Sequence, residues 1–163
     1  MFYEEAVSCV CCIGCMPRDF AGWAALHGQS AGSPNAVLGE TYLTTITNAS
    51  TGAFSSRSLI TLHTDHSFAV VDSGQGGPGV QFSSQQGNWA QSPGATITAR
   101  TLDFSFPPNA GIARVDYDIT TVSADTVSGT ITLTLFPLNG DPLGGGGTSA
   151  GTFNFTGTRV TLP

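Results

Sequence analysis

Arg100 stands in an alternating run, Ala95–Phe106, where Leu102, Phe104 and Phe106 share its parity. If the run is a regular strand and that parity is its buried face, one guanidinium lies among apolar side chains. An unpaired buried charge is costly, so Arg100 must meet a carboxylate or a ligand anion, or pack its stem and send its head to water at a barrel mouth. Asp103, Asp116 and Asp118 are the carboxylates of the same stretch. Asp116 and Asp118 alternate with Val115, Tyr117 and Ile119, which predicts that they face water beside Arg114. With the faces inverted, an Arg and an Asp enclosed together, drawn from Arg100, Asp103 and Asp116, would be equipped for acid–base chemistry on an apolar substrate.

The other reactive clusters point to bland roles. His63, Asp65 and His66 sit in one tight turn, where three side chains seldom converge on a metal and Asp has an ordinary turn role. Cys9, Cys11, Cys12 and Cys15 crowd into seven residues without a second knuckle, so an apolar plug with free thiols is expected rather than a zinc site. No metal and no cofactor is implied. Gly74–Gly79 has no Lys and precedes a strand, so it reads as a flap, not a phosphate loop. The sequons at Asn48 and Asn154 carry little weight in a chain rich in Ser and Thr. No Ser stands in a nucleophile elbow.

The elements that must position these residues are strands. In 95–136, Val115, Tyr117 and Ile119 alternate with Arg114, Asp116 and Asp118, and Ile131, Leu133 and Leu135 alternate with threonines. A period of two is the mark of a sheet with one dry and one wet face. The pattern runs from Leu38 onward. It predicts strands at about Gly39–Asn48, Ala53–His63, His66–Asp72, Val80–Gln91, Ala95–Phe106, Ile112–Val122, Val127–Phe136 and Thr148–Leu162. Gly87 suggests a bulge or bend within the fourth. Sequential strands on short turns lose their edges most simply by closing into an all-β, antiparallel, eight-stranded up-and-down barrel. A two-sheet sandwich would want longer crossovers.

Residues 1–37 differ from the barrel region, 38–163. Pro17 to His27 carries Phe20, Trp23, Ala24 and His27 at helical spacing, and 28–37 is a linker by composition. The segment is expected to act as a short helical or irregular plug, or as a docking arm for a homo-oligomer. Cys12-Ile13-Gly14-Cys15 faintly resembles a bacterial lipobox, but Glu4 and Glu5 replace the basic start of a signal peptide, so a cytoplasmic reading is favoured over a secreted or lipid-anchored one.

Composition excludes several partners. The 163 residues include no Lys, and the formal charge is −6. Scattered arginines give no phosphate-binding stripe, which argues against nucleic acid and against an anionic membrane surface. No run reaches the ~20 apolar residues of a spanning helix.

The stretches SLITLHTDHSFAVVDSGQGG, FSSQQGNWAQSPGATITARTLDFSF and GTFNFTGTRV resemble the lipocalin-like, or calycin-like, small barrels, including a group of unassigned activity. The usual Gly-x-Trp of a first lipocalin strand falls here on the fourth, as Gly87-Asn88-Trp89. The resemblance implies a barrel and brings no functional residue with it. At eight strands the interior is either filled or holds one small ligand. The expected function is therefore binding of a small apolar molecule inside the barrel. Phe68, Phe82, Trp89, Arg100, Leu102, Phe104, Phe106 and Tyr117 are the candidate ligand contacts, with Phe54, Phe153 and Phe155 as further lining or core. The alternatives are a cofactor-free cyclase or isomerase, and an assembly module docking through residues 1–37. The motifs of the allene oxide cyclase and dirigent barrels are not found.

Overall fold

A computed structural model describes residues 39–77, 81–92, 96–123 and 125–163, with 121–123 as backbone alone. The helix expected at Pro17–His27, the cysteine cluster and the plug or arm of residues 1–37 lie outside the described residues.

Eight antiparallel strands follow one another around a closed barrel. They are β1 (Glu40–Asn48), β2 (Phe54–Leu62), β3 (Ser67–Asp72), β4 (Gln85–Gln91), β5 (Thr96–Ser105), β6 (Gly111–Ser123), β7 (Thr126–Phe136) and β8 (Thr148–Arg159). Each pairs with its neighbour in sequence, and β1 closes on β8 from Tyr42↔Arg159 to Asn48↔Phe153. Closure leaves no unpaired edge for another chain to extend.

The wall is built by alternation. On β6, Val115, Tyr117 and Ile119 point inward and are buried, while Asp116 and Asp118 point outward. Thr98, Arg100, Thr130 and Thr132 continue that polar outer face across β5 to β7, whereas Leu43, Leu59 and Val71 are exposed side by side on the outer face of β1 to β3. Among the described residues no helix is long and apolar enough to cross a membrane.

Two glycines let strands approach where a side chain could not fit. A Cβ on Gly87 would overlap the Arg100 carbonyl of β5, and one on Gly129 would overlap the Asp118 carbonyl and the Phe155 ring. Of the bulge or bend expected at Gly87, the bulge is not present, since its register with β3 and β5 is continuous; the glycine serves a close backbone approach. A true shift falls between Ile46 and Thr47, where Thr47 pairs with Phe54 and skips Ser55. Phe54 is thereby turned outward and is 66% exposed, so it is neither core nor lining. The extra residue reverses the parity that Phe54 would otherwise share with Ile60 and Leu62.

Among the described residues, the interior is filled at one end. Tyr42, Leu62, Phe68, Trp89, Ile97 and Ile119 pack together where β1 starts and β8 finishes. His66 lies over Trp89 with ring centroids 4.5 Å apart, and Trp89 Nε1 donates to the His63 carbonyl at 2.9 Å. Tyr117 meets Phe68 edge-on at 5.1 Å and Phe155 at 6.3 Å, forming the upper layer of this core.

Candidate functional site

Beyond Tyr117 the described residues leave the barrel hollow. A cavity of about 770 Å³ opens at the end where β1, β3, β5 and β7 finish. Its size lies within the ~300–1,000 Å³ common for small-molecule sites. Ile131, Leu133 and Phe153 from β7 and β8, with Val115 from β6, give one apolar wall. Phe82 and Phe106 stand at the mouth. Phe106 N–H donates to the Gln81 carbonyl at 2.8 Å, and Ser83 N–H to the Phe104 carbonyl at 2.9 Å, so the segment before β4 is tied to the finish of β5.

The opposite side is polar. Asp72 closes β3 in phase with Phe68 and Val70 and points into the cavity. Its Oδ2 accepts from Ser56 Oγ at 2.8 Å and Ser58 Oγ at 2.5 Å, and its Oδ1 from Gly74 N–H at 2.7 Å. Gln85 Oε1 accepts from Tyr117 Oη at 2.6 Å and lies 3.0 Å from Thr101 Oγ1. Burial, and then the nearby carboxylates of Asp72 and Asp103, hold the Tyr117 phenol well above its ordinary range, so it stays neutral and donates.

Asp103 completes the group. It is 4% exposed, and its Oδ1 has no hydrogen-bond partner among the described residues. Burial first, and the charge of Asp72 second, push its carboxyl up to about 6. The group therefore exchanges a proton near neutrality, which suits either a charge-pairing anchor or an acid–base role.

The expected face of β5 is corrected. Ile97, Ala99, Thr101 and Asp103 point inward, while Arg100 and Phe104 are exposed on the outer wall and Leu102 shares their parity. Register explains the choice. Ala99 pairs with Tyr117, Thr101 with Val115 and Asp103 with Ala113, and the inward parity of β6 fixes that of β5. Small residues at 99 and 101 also leave room for Tyr117 and Gln85. Arg100 Nε reaches Asp116 Oδ1 at 2.5 Å, outside the barrel. Asp116 and Asp118 lie on the wet face, as their alternation with Val115 and Tyr117 predicts.

The remaining expected contacts divide by depth. Phe82, Phe106 and Tyr117 border the cavity. Phe68 and Trp89 are buried in the filled end, below Tyr117. Asp72 and Gln85 are additions, and period two could have found Asp72, a carboxylate in phase with two apolar neighbours. His63, Asp65 and His66 belong to the turn at the filled end. There Asp65 Oδ1 accepts from Ser67 N–H at 2.9 Å and Ser67 Oγ at 2.7 Å, bonds that lower its carboxyl. No group of three His, Cys, Asp or Glu gathers as a metal site among the described residues.

Outside the barrel, Arg114 holds the 137–147 loop against β6 and β7. Its Nη1 donates to the Pro142 and Gly144 carbonyls at 3.1 and 3.0 Å, and its guanidinium lies 5.2 Å from the Phe136 ring centre. Arg114 Nε is 3.1 Å from Asp116 Oδ2, an ion pair by distance whose N–H is not aimed at the oxygen.

No protein-family model, no curated protein and no solved structure matches the chain.

Proposed function

We propose that this lipocalin-like barrel binds a small, mainly apolar molecule in its open half. The single observation that carries the reading is the one-ended cavity of about 770 Å³ above a filled core. A barrel serving only as a scaffold would gain by closing that space, because a void forfeits packing contacts. The wall of Val115, Ile131, Leu133 and Phe153 offers the burial that binds an apolar body, and the Asp72–Gln85–Asp103 side offers orientation. The cyclase or isomerase alternative loses its inward Arg, since Arg100 is on the outer wall. Asp103 alone keeps an acid–base reading in view. The assembly alternative turns on residues 1–37, outside the described residues.

Native mass spectrometry of the purified protein, taken from gentle to denaturing conditions, tests the binding reading. A small mass should leave the wild type on denaturation and be diminished in Ala113→Trp, whose indole takes up part of the cavity. A wild type that carries nothing, and takes up nothing from a lipid-and-metabolite extract that Ala113→Trp also refuses, would sink it.

A further inference from the structure

The polar side of the cavity has unused capacity at one carboxyl group. Asp72 is engaged by Ser56, Ser58 and Gly74, and Gln85 Oε1 by Tyr117 and Thr101. Asp103, 4% exposed and bordering the cavity, accepts no hydrogen bond among the described residues; its Oδ1 is shut off by the wall, which leaves Oδ2 as the oxygen open to a ligand. A largely buried carboxyl without a donor is expensive, and a ligand that brings a donor to Oδ2 recovers part of that cost.

The charge of the ligand follows from what else faces Asp103. Asp72 on β3 adds negative field, while Tyr117 on β6 is neutral and Gln85 on β4 carries no charge. Arg100 and Arg114 are occupied outside, with Asp116 and the 137–147 loop, Arg159 is paired with Glu40 and Asp125 at the filled end, and Arg57 is exposed at an outward position of β2. No cation among the described residues balances the two carboxylates. A ligand anion would be repelled and a hydroxyl would supply one neutral hydrogen bond. An ammonium supplies both the hydrogen bond and the missing charge.

We propose that the open half of the barrel recognises an amphipathic amine, with its protonated nitrogen on Asp103 and its apolar body against Phe82, Phe106, Leu133 and Phe153. This rests on the binding reading above and names its ligand class. Asp103 must be ionised to pair with the ammonium, so affinity weakens as pH falls through about 6.

Three probes with one body separate the possibilities: 2-naphthylmethylamine, 2-naphthylmethanol and 2-naphthoate, titrated calorimetrically into the full chain and into Asp103→Asn. At about pH 7.5 the amine should bind the wild type roughly tenfold or more tighter than the alcohol, with the naphthoate weakest. In Asp103→Asn the amine's advantage over the alcohol should fall to about threefold or less. A near-ultraviolet circular dichroism spectrum matching the wild type's shows that the variant is folded. Wild-type affinity for the amine should drop by about fivefold or more between about pH 7.5 and 5. Equal binding of amine and alcohol by the wild type overturns the amine proposal and leaves the binding reading standing. A preference that survives in Asp103→Asn overturns the assignment to Asp103. Failure of all three probes to bind overturns the proposal together with the reading beneath it.

Discussion

Asp103 takes up a proton more readily in the folded barrel than in the unfolded chain, because burial and the charge of Asp72 raise its carboxyl to about 6. Between the ordinary carboxylate range and about 6, the folded state therefore holds more protons than the unfolded one. Its effect on stability is negligible below that window and becomes destabilising as pH rises through it. A shift of this size corresponds to roughly 3 kcal/mol at most. Asp103→Asn is accordingly expected to exceed the wild type by about 1–3 kcal/mol at neutral pH and to lose that advantage near pH 3.5. Urea titrations at both pH values check this, and a pH-independent difference would contradict it. Arg100 gives the opposite case. Its ion pair with Asp116 is half exposed, so Arg100→Ala should cost less than about 1 kcal/mol and leave ligand binding unchanged. A large loss of binding in that variant would return Arg100 to the site. The two residues also show why the inward face of β5 was hard to read. Leu102, Phe104 and Phe106 make the outward parity the more apolar, and only pairing with Val115 and Tyr117 on β6 reveals that Thr101 and Asp103 point inward.

The strands themselves were legible because period two runs through nearly all of them with turn residues between. Their ends agree with the alternation to within two or three residues, except at β4. There the residues before Gln85 make an isolated bridge, Phe82↔Ser105, and not a full ladder. What alternation does not encode is a shift of one residue, as at Ser55, or a second use of parity, as where the 137–147 loop covers the outer side of β6 and β7. Thr134 and Phe136 are buried there although they face away from the barrel axis. Gly87 is the sharpest constraint at this scale. Gly87→Ala drives a Cβ into the β5 backbone at Arg100, and backbone cannot swing aside as a side chain can. It should cost about 3 kcal/mol or more, against the ~1 kcal/mol or less expected for an ordinary strand substitution. Thermal unfolding of the variant measures this, and a wild-type midpoint would mean that β4 and β5 can separate without penalty.

For the whole molecule, the open and filled halves divide the labour. Tyr42, Leu62, Phe68 and Trp89 supply a dry core, and the half above Tyr117 is hollow among the described residues. The pairing scheme has a further consequence. Seven of the eight seams join strands adjacent in sequence, and the eighth joins β1 to β8, with Tyr42 opposite Arg159. Glu40 and Arg159 are already bonded at 3.1 Å, and Val160 N–H donates to the Thr41 carbonyl at 2.8 Å. On such a ring no strand is first by necessity. A circular permutant that links β8 to β1 and opens the Ala49–Gly52 turn would make the distant seam local and the β1–β2 seam distant. One long closure replaces another, so the folding rate should stay within about tenfold and stability within about 2 kcal/mol of the parent. Stopped-flow refolding would decide the matter. A permutant that folds orders of magnitude more slowly would mean that the β1–β2 hairpin nucleates the barrel, whereas parity would mean that the ring can be entered at any point.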